Sequence, residues 1–136
     1  MEPDQVAWLE ALVWPGEGER LELLRAAVAV ARADPPRMAR GDLRHDLPAL
    51  AAEAPADATL VVFHTAVLAY VDDVAARAEF ADTVRALGAV WISNESPDLL
   101  AQDMGEPWPH GRFLLARDGR PVAWTDPHGT AIDWLD

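Results

Sequence analysis

Two short apolar runs, each ending in polar residues, set the rhythm of this chain. Ala58-Thr59-Leu60-Val61-Val62-Phe63 stops at His64-Thr65, and Ala89-Val90-Trp91-Ile92 gives way to Ser93-Asn94-Glu95. Continuous runs rich in β-branched and aromatic residues predict strands buried on both faces, over Thr59 to Phe63 and Ala89 to Ser93. Between them, Tyr70, Val74, Phe80, Val84 and Leu87 supply the apolar face of a helix from Ala66 to Leu87, with Gly88 placed as its C-terminal cap. Strand, helix, strand in that order implies parallel pairing through a crossover.

The flanks are read in the same way. Asp4 caps a helix running through Val13, which Pro15-Gly16 ends. Leu21, Leu24, Val28 and Ala31 recur at spacings of three and four, predicting a helix from Glu17 to Ala33 that Pro35-Pro36 breaks. Arg37 to Arg40 is expected as a short strand before the Gly41-Asp42 turn, and Asp46 as the cap of a helix from Leu47 to Glu53. The stretch from Ser96 to Gly111 holds three prolines and two glycines, so it reads as a loop with a turn of helix near Leu99. Asp118-Gly119, between Arg112 to Arg117 and Pro121 to Thr125, is a strong hairpin signal. Asp126 to Gly129 forms a turn, and the tail from Thr130 to Asp136 returns as a short strand or helical turn. The expected fold is a single α/β domain over residues 1–136: three layers, a small and mostly parallel sheet flanked by helices, and a closing antiparallel hairpin.

Composition narrows the function classes. A net charge of −12, from 23 acidic against 11 basic residues, repels phosphate backbones, and the arginines are scattered, so no nucleic-acid partner is expected. The absence of cysteine removes disulfides, thiolate nucleophiles and zinc-cysteine sites. No apolar run approaches a membrane span and the N-terminus lacks a signal-peptide pattern, which makes the cytoplasm the expected location and excludes a membrane partner.

Several stretches also resemble a known family. Trp8-Leu9-Glu10-Ala11-Leu12-Val13-Trp14-Pro15, Arg40-Gly41-Asp42, Leu60 to Tyr70, Trp91-Ile92-Ser93-Asn94-Glu95 and Pro127-His128-Gly129 look like the bacterial family called domain of unknown function 2332. The resemblance covers nearly the whole chain and is to the C-terminal part of members that are usually longer. It implies no catalytic residues. The element order is more loosely similar to the later part of class I S-adenosylmethionine-dependent methyltransferases, which implies a Rossmann-like sheet and S-adenosylmethionine as a conceivable cofactor. The Gly-rich turn such enzymes place after their first strand has no counterpart, because Gly16-Glu17-Gly18 follows a helix. The cofactor is therefore left unassigned, as is whether the chain is an enzyme.

Candidate chemistry lies where the expected strands end. Asp42, His64, Thr65, Asn94 and Glu95 are expected to meet at one sheet edge, where open α/β sheets bind ligands. A histidine beside carboxylates there would suit proton transfer or a small polar ligand. The plainer alternative is that Thr65 caps the following helix and His64 bonds a neighbouring carbonyl. No metal is expected, since His64, His110 and His128 show no ligand spacing, and Ser93 and Ser96 lack a nucleophile-elbow glycine pattern. A second class of function rests on apolar surface. Trp8, Trp14, Trp108, Trp124 and Trp134 are expected to lie partly exposed, and with an uncovered sheet edge they favour self-association, so that a non-catalytic module forming a homodimer or binding a protein partner is the alternative to a small polar ligand at the strand ends.

Overall fold

The computed structural model describes residues 2–71, 73–99 and 108–135, and the chain divides into two compact units, 1–40 and 41–136. The first unit is a helical pair, α1 (Pro3–Ala11) and α2 (Gly18–Ala33). Proline opens α1 because its missing N–H falls where a helix has no partner to offer. The two helices are joined by Arg25, whose Nε and Nη2 donate to the two carboxylate oxygens of Glu10 at 2.9 and 3.2 Å. Trp8, Leu12 and Trp14 stay exposed.

The second unit carries α3 (Leu47–Ala51), β1 (Val61–Thr65), a 3-10 turn (Leu68–Tyr70), α4 (Val74–Ala86), β2 (Val90–Glu95), a turn at Pro97–Leu99, β3 (Phe113–Arg117), β4 (Arg120–Thr125) and β5 (Ile132–Trp134). The strands form one sheet in the order β1-β2-β3-β4-β5. Only β1 and β2 pair in parallel, and the other three pairings are antiparallel. The architecture is thus α/β with a mixed, mostly antiparallel sheet flanked by helices, which corrects the expectation of a mostly parallel one. The cause is connection length. Parallel neighbours need a crossover of a dozen or more residues, which the segment carrying α4 provides between β1 and β2, whereas the short connections from β3 to β4 and from β4 to β5 suit antiparallel pairing; β2 and β3 pair antiparallel although the segment between them is long. Asp118 and Gly119 sit at φ of 53° and 76°, as a two-residue hairpin with type I′ handedness requires.

Several expected elements shift. The first helix starts at Pro3 with Glu2, not Asp4, at its N-cap, and ends at Ala11 rather than Val13. Arg37 to Arg40 forms no strand: Pro36 lacks a donor, and Met38 lies exposed with nothing to pack on. The helix expected from Ala66 begins only at Val74, because Ala66 takes a left-handed φ of 53° and the chain makes a separate 3-10 turn before Asp73 caps α4 by accepting from Ala75 N–H at 2.9 Å. Both parallel strands also run further than expected, so that His64, Thr65, Asn94 and Glu95 lie inside the ladder rather than beyond it. The core under α4 is Leu68, Phe80, Val84 and Trp91, with Leu43, Leu47, Val62, Ala81 and Leu99 packed against it. No helix among the described residues is long and apolar enough to cross a membrane.

Candidate functional site

Strand geometry decides which of the five candidates meet. Successive side chains of a strand point to opposite faces, so His64 and Thr65 must part, and so must Asn94 and Glu95. With His64 opposite Ser93 and Thr65 opposite Asn94 in the parallel register, His64 and Glu95 share the face covered by α4, while Thr65 and Asn94 share the other.

On the α4 side, His64 Nδ1 lies 2.7 Å from Glu95 Oε1, and Trp91 Nε1–H donates to His64 Nε2 at 3.0 Å. An indole N–H only donates, so Nε2 must hold a lone pair and the proton must sit on Nδ1, directed at the carboxylate. His64 is in this arrangement a neutral imidazole with both nitrogens engaged. Glu95 is fully buried, and its Oε1 also accepts from the N–H groups of Val67 and Leu68 at 2.9 and 3.3 Å. It therefore ties β2 to the turn that leads out of β1. Glu95 Oε2 is buried without a partner among the described residues. Phe80 stands edge-on to the imidazole at 5.4 Å and to Trp91 at 6.3 Å, closing the cluster with apolar surface.

On the opposite face a second polar chain forms. Asn94 Nδ2 donates to Thr65 Oγ1 at 3.3 Å, and Thr125 Oγ1 donates to Asn94 Oδ1 at 2.7 Å, linking β1, β2 and β4. Thr65 caps no helix, since that place is taken by Asp73.

Asp42 belongs to neither group, because no strand precedes it. It sits in a turn before α3, where its Oδ1 accepts from the backbone N–H and the Nε of Arg44, both at 2.9 Å, and its own N–H donates to Asp46 at 2.7 Å. Gly41 is required here: a Cβ on it would lie 2.6 Å from Asp46 Oδ2. Asp42 and Arg44 line a groove of about 490 Å³ with Val67, Tyr70, Val71 and Asp73, beside the carboxyl end of β1.

The Arg44 side chain, and then its backbone N–H, hold the Asp42 carboxyl well below the usual carboxylate range. A depressed carboxylate contributes stability that is fully present above its unfolded value of about 4 and is lost as pH falls through the folded value. Carbon-detected NMR titration should therefore place the Asp42 midpoint below the ordinary aspartate value of about 4. Asp42→Asn should remove that part of the acid-side loss of stability, and an Asp42 midpoint near 4 would refute it.

Residues that sequence reasoning missed are Trp91 as the partner of His64 and Thr125 as the partner of Asn94. Strand parity is written in the sequence and separates the two faces. The specific partners depend on register, which it does not specify. His45, His110 and His128 are exposed, and no group of three or more His, Asp or Glu side chains gathers around a common point among the described residues.

Comparison with known sequences gives one family match, described as an uncharacterized protein conserved in bacteria (DUF2332), over residues 1–134. No curated protein and no solved structure matches the chain.

Proposed function

We propose, for a chain that belongs to this bacterial DUF2332 family, a non-catalytic role in association, with a second copy of itself as the partner. The observation that carries the reading is apolar surface on the sheet: Val61, Phe63, Ile132 and Trp134 are 49%, 76%, 52% and 71% exposed. Large apolar side chains left in water on both edge strands are what a docking surface offers. The state of the candidate proton-transfer group agrees with this. His64 has no free lone pair, because Trp91 occupies it. Light scattering of the purified chain across dilution tests the reading. A dimer mass that falls on dilution is expected, and a single monomer mass at high micromolar concentration would overturn it.

A second reading keeps a small polar ligand at the carboxyl end of β1, and the groove beside Asp42, Arg44 and Tyr70 supports it. Its Rossmann-like, methyltransferase-like form names S-adenosylmethionine as that ligand. Calorimetric titration discriminates the two, since heat that saturates at millimolar S-adenosylmethionine favours the ligand and its absence removes the methyltransferase form.

A further inference from the structure

We infer that the dimer forms by antiparallel pairing of β1 with β1 of a second copy, on a two-fold axis through Phe63, an inference that rests on the association reading above. The backbone of β1 has one satisfied side. Val90 N–H donates to Leu60 O at 3.0 Å and Ala66 N–H donates to Asn94 O at 3.1 Å, so the even-numbered residues of this segment face β2. In a parallel ladder the alternate residues then turn their N–H and C=O groups away. Those residues are Val61, Phe63 and Thr65, and among the described residues none of them enters a backbone hydrogen bond outside the ladder.

An unpaired strand edge is a template for another strand, and proteins that must stay apart blunt it with charge, proline, bulges or brevity. The two edges of this sheet differ in that respect. β5 is three residues long and carries Asp133, which pairs with Arg112. β1 is Val-Val-Phe-His-Thr, five residues without acid, lysine, arginine or proline, in a chain whose net charge is −12. Its one histidine points inward, neutral and buried.

The edge also fits itself. An antiparallel pair centred on Phe63 sets Phe63 against Phe63 of the other copy, and Val61 against Thr65. All three are residues whose backbone groups point outward, so each pair exchanges two N–H···O bonds. Their side chains share one face, which brings together two Phe63 rings that are otherwise 76% exposed. Such an isologous contact closes as a dimer and leaves no further β1 edge free. Because the contact is charge-free while the copies repel, added salt should tighten it.

The test uses the full chain in sedimentation across dilution, with Phe63→Lys against Trp134→Lys as a control and circular dichroism to verify folding. Phe63→Lys places like charges directly opposite each other and should raise the dimer Kd by roughly tenfold or more, while the control changes it little. The chain has no cysteine, so Phe63→Cys gives one thiol, which a short bis-maleimide should cross-link into a covalent dimer while Ile132→Cys stays monomeric. A dimer that survives Phe63→Lys unchanged and fails to cross-link through Phe63→Cys overturns the edge pairing and leaves the association reading standing. A monomer throughout overturns both.

Discussion

Glu95→Ala is expected to lower the unfolding free energy by about 3–5 kcal/mol, the largest effect of any single substitution considered for this chain. One carboxylate oxygen, fully buried, takes hydrogen bonds from His64 Nδ1 and from the N–H groups of Val67 and Leu68. Truncation leaves three donors without an acceptor and opens a cavity beside Leu68. An unsatisfied buried donor costs about 1–3 kcal/mol, and water entering the cavity recovers part of the sum. Native domains have about 5–15 kcal/mol in total, so the loss is a large share of the whole. Glu95→Gln keeps an acceptor where Oε1 stands and should cost about half as much. Urea unfolding followed by circular dichroism checks both, and an alanine effect under about 1 kcal/mol would show that Glu95 does not hold this turn.

Glu95 also shows where sequence reading reaches its limit. Pro35-Pro36 marks the end of α2 at Ala33, and Pro15-Gly16 lies in the bend between the first two helices although α1 already ends at Ala11, because a proline changes the backbone wherever it stands. Asp118-Gly119 marks the hairpin because two positive φ angles suit few residues. These signals are local and survive without knowledge of the fold. The C-terminal ends of β1 and β2 carry no such signal. Polar residues after an apolar run read as a strand end. Here they continue the ladder, since His64 with Glu95, and Thr65 with Asn94, satisfy each other across it. The same confusion extended the expected helix back to Ala66. Its apolar periodicity is real, but the N–H groups of Val67 and Leu68 are committed to Glu95 rather than to a helix terminus.

The split of the five candidates follows from parity, which is legible. Asn94 and Glu95 are neighbours in sequence and therefore cannot both line one crevice while they remain in a strand. What parity leaves undecided is the register, and with it the indole that takes up the imidazole lone pair. Asp42 reaches the sheet edge only if Arg37 to Arg40 forms a strand. Without that strand it is the anchor of a turn, held by Arg44 and Asp46.

His64→Ala is expected to cost about 3–4 kcal/mol, which separates a structural imidazole from one reserved for a ligand. The loss has three sources. Trp91 Nε1–H loses its acceptor, Glu95 loses one of its donors, and the space against Phe80 is left unfilled. A histidine kept for binding would behave in the opposite way, because functional side chains held in a core are replaced at little cost or with a gain. The double variant His64→Ala/Glu95→Ala sharpens the point. Once either partner is gone, the bond between them is already lost, so removing the second cannot lose it again. The two single effects should therefore exceed the double by about 1–3 kcal/mol, the coupling expected for residues sharing a buried hydrogen bond. Additive effects in that cycle would mean that His64 and Glu95 act independently, and the network joining β1, β2 and the turn after β1 would not be the unit that holds this end of the sheet.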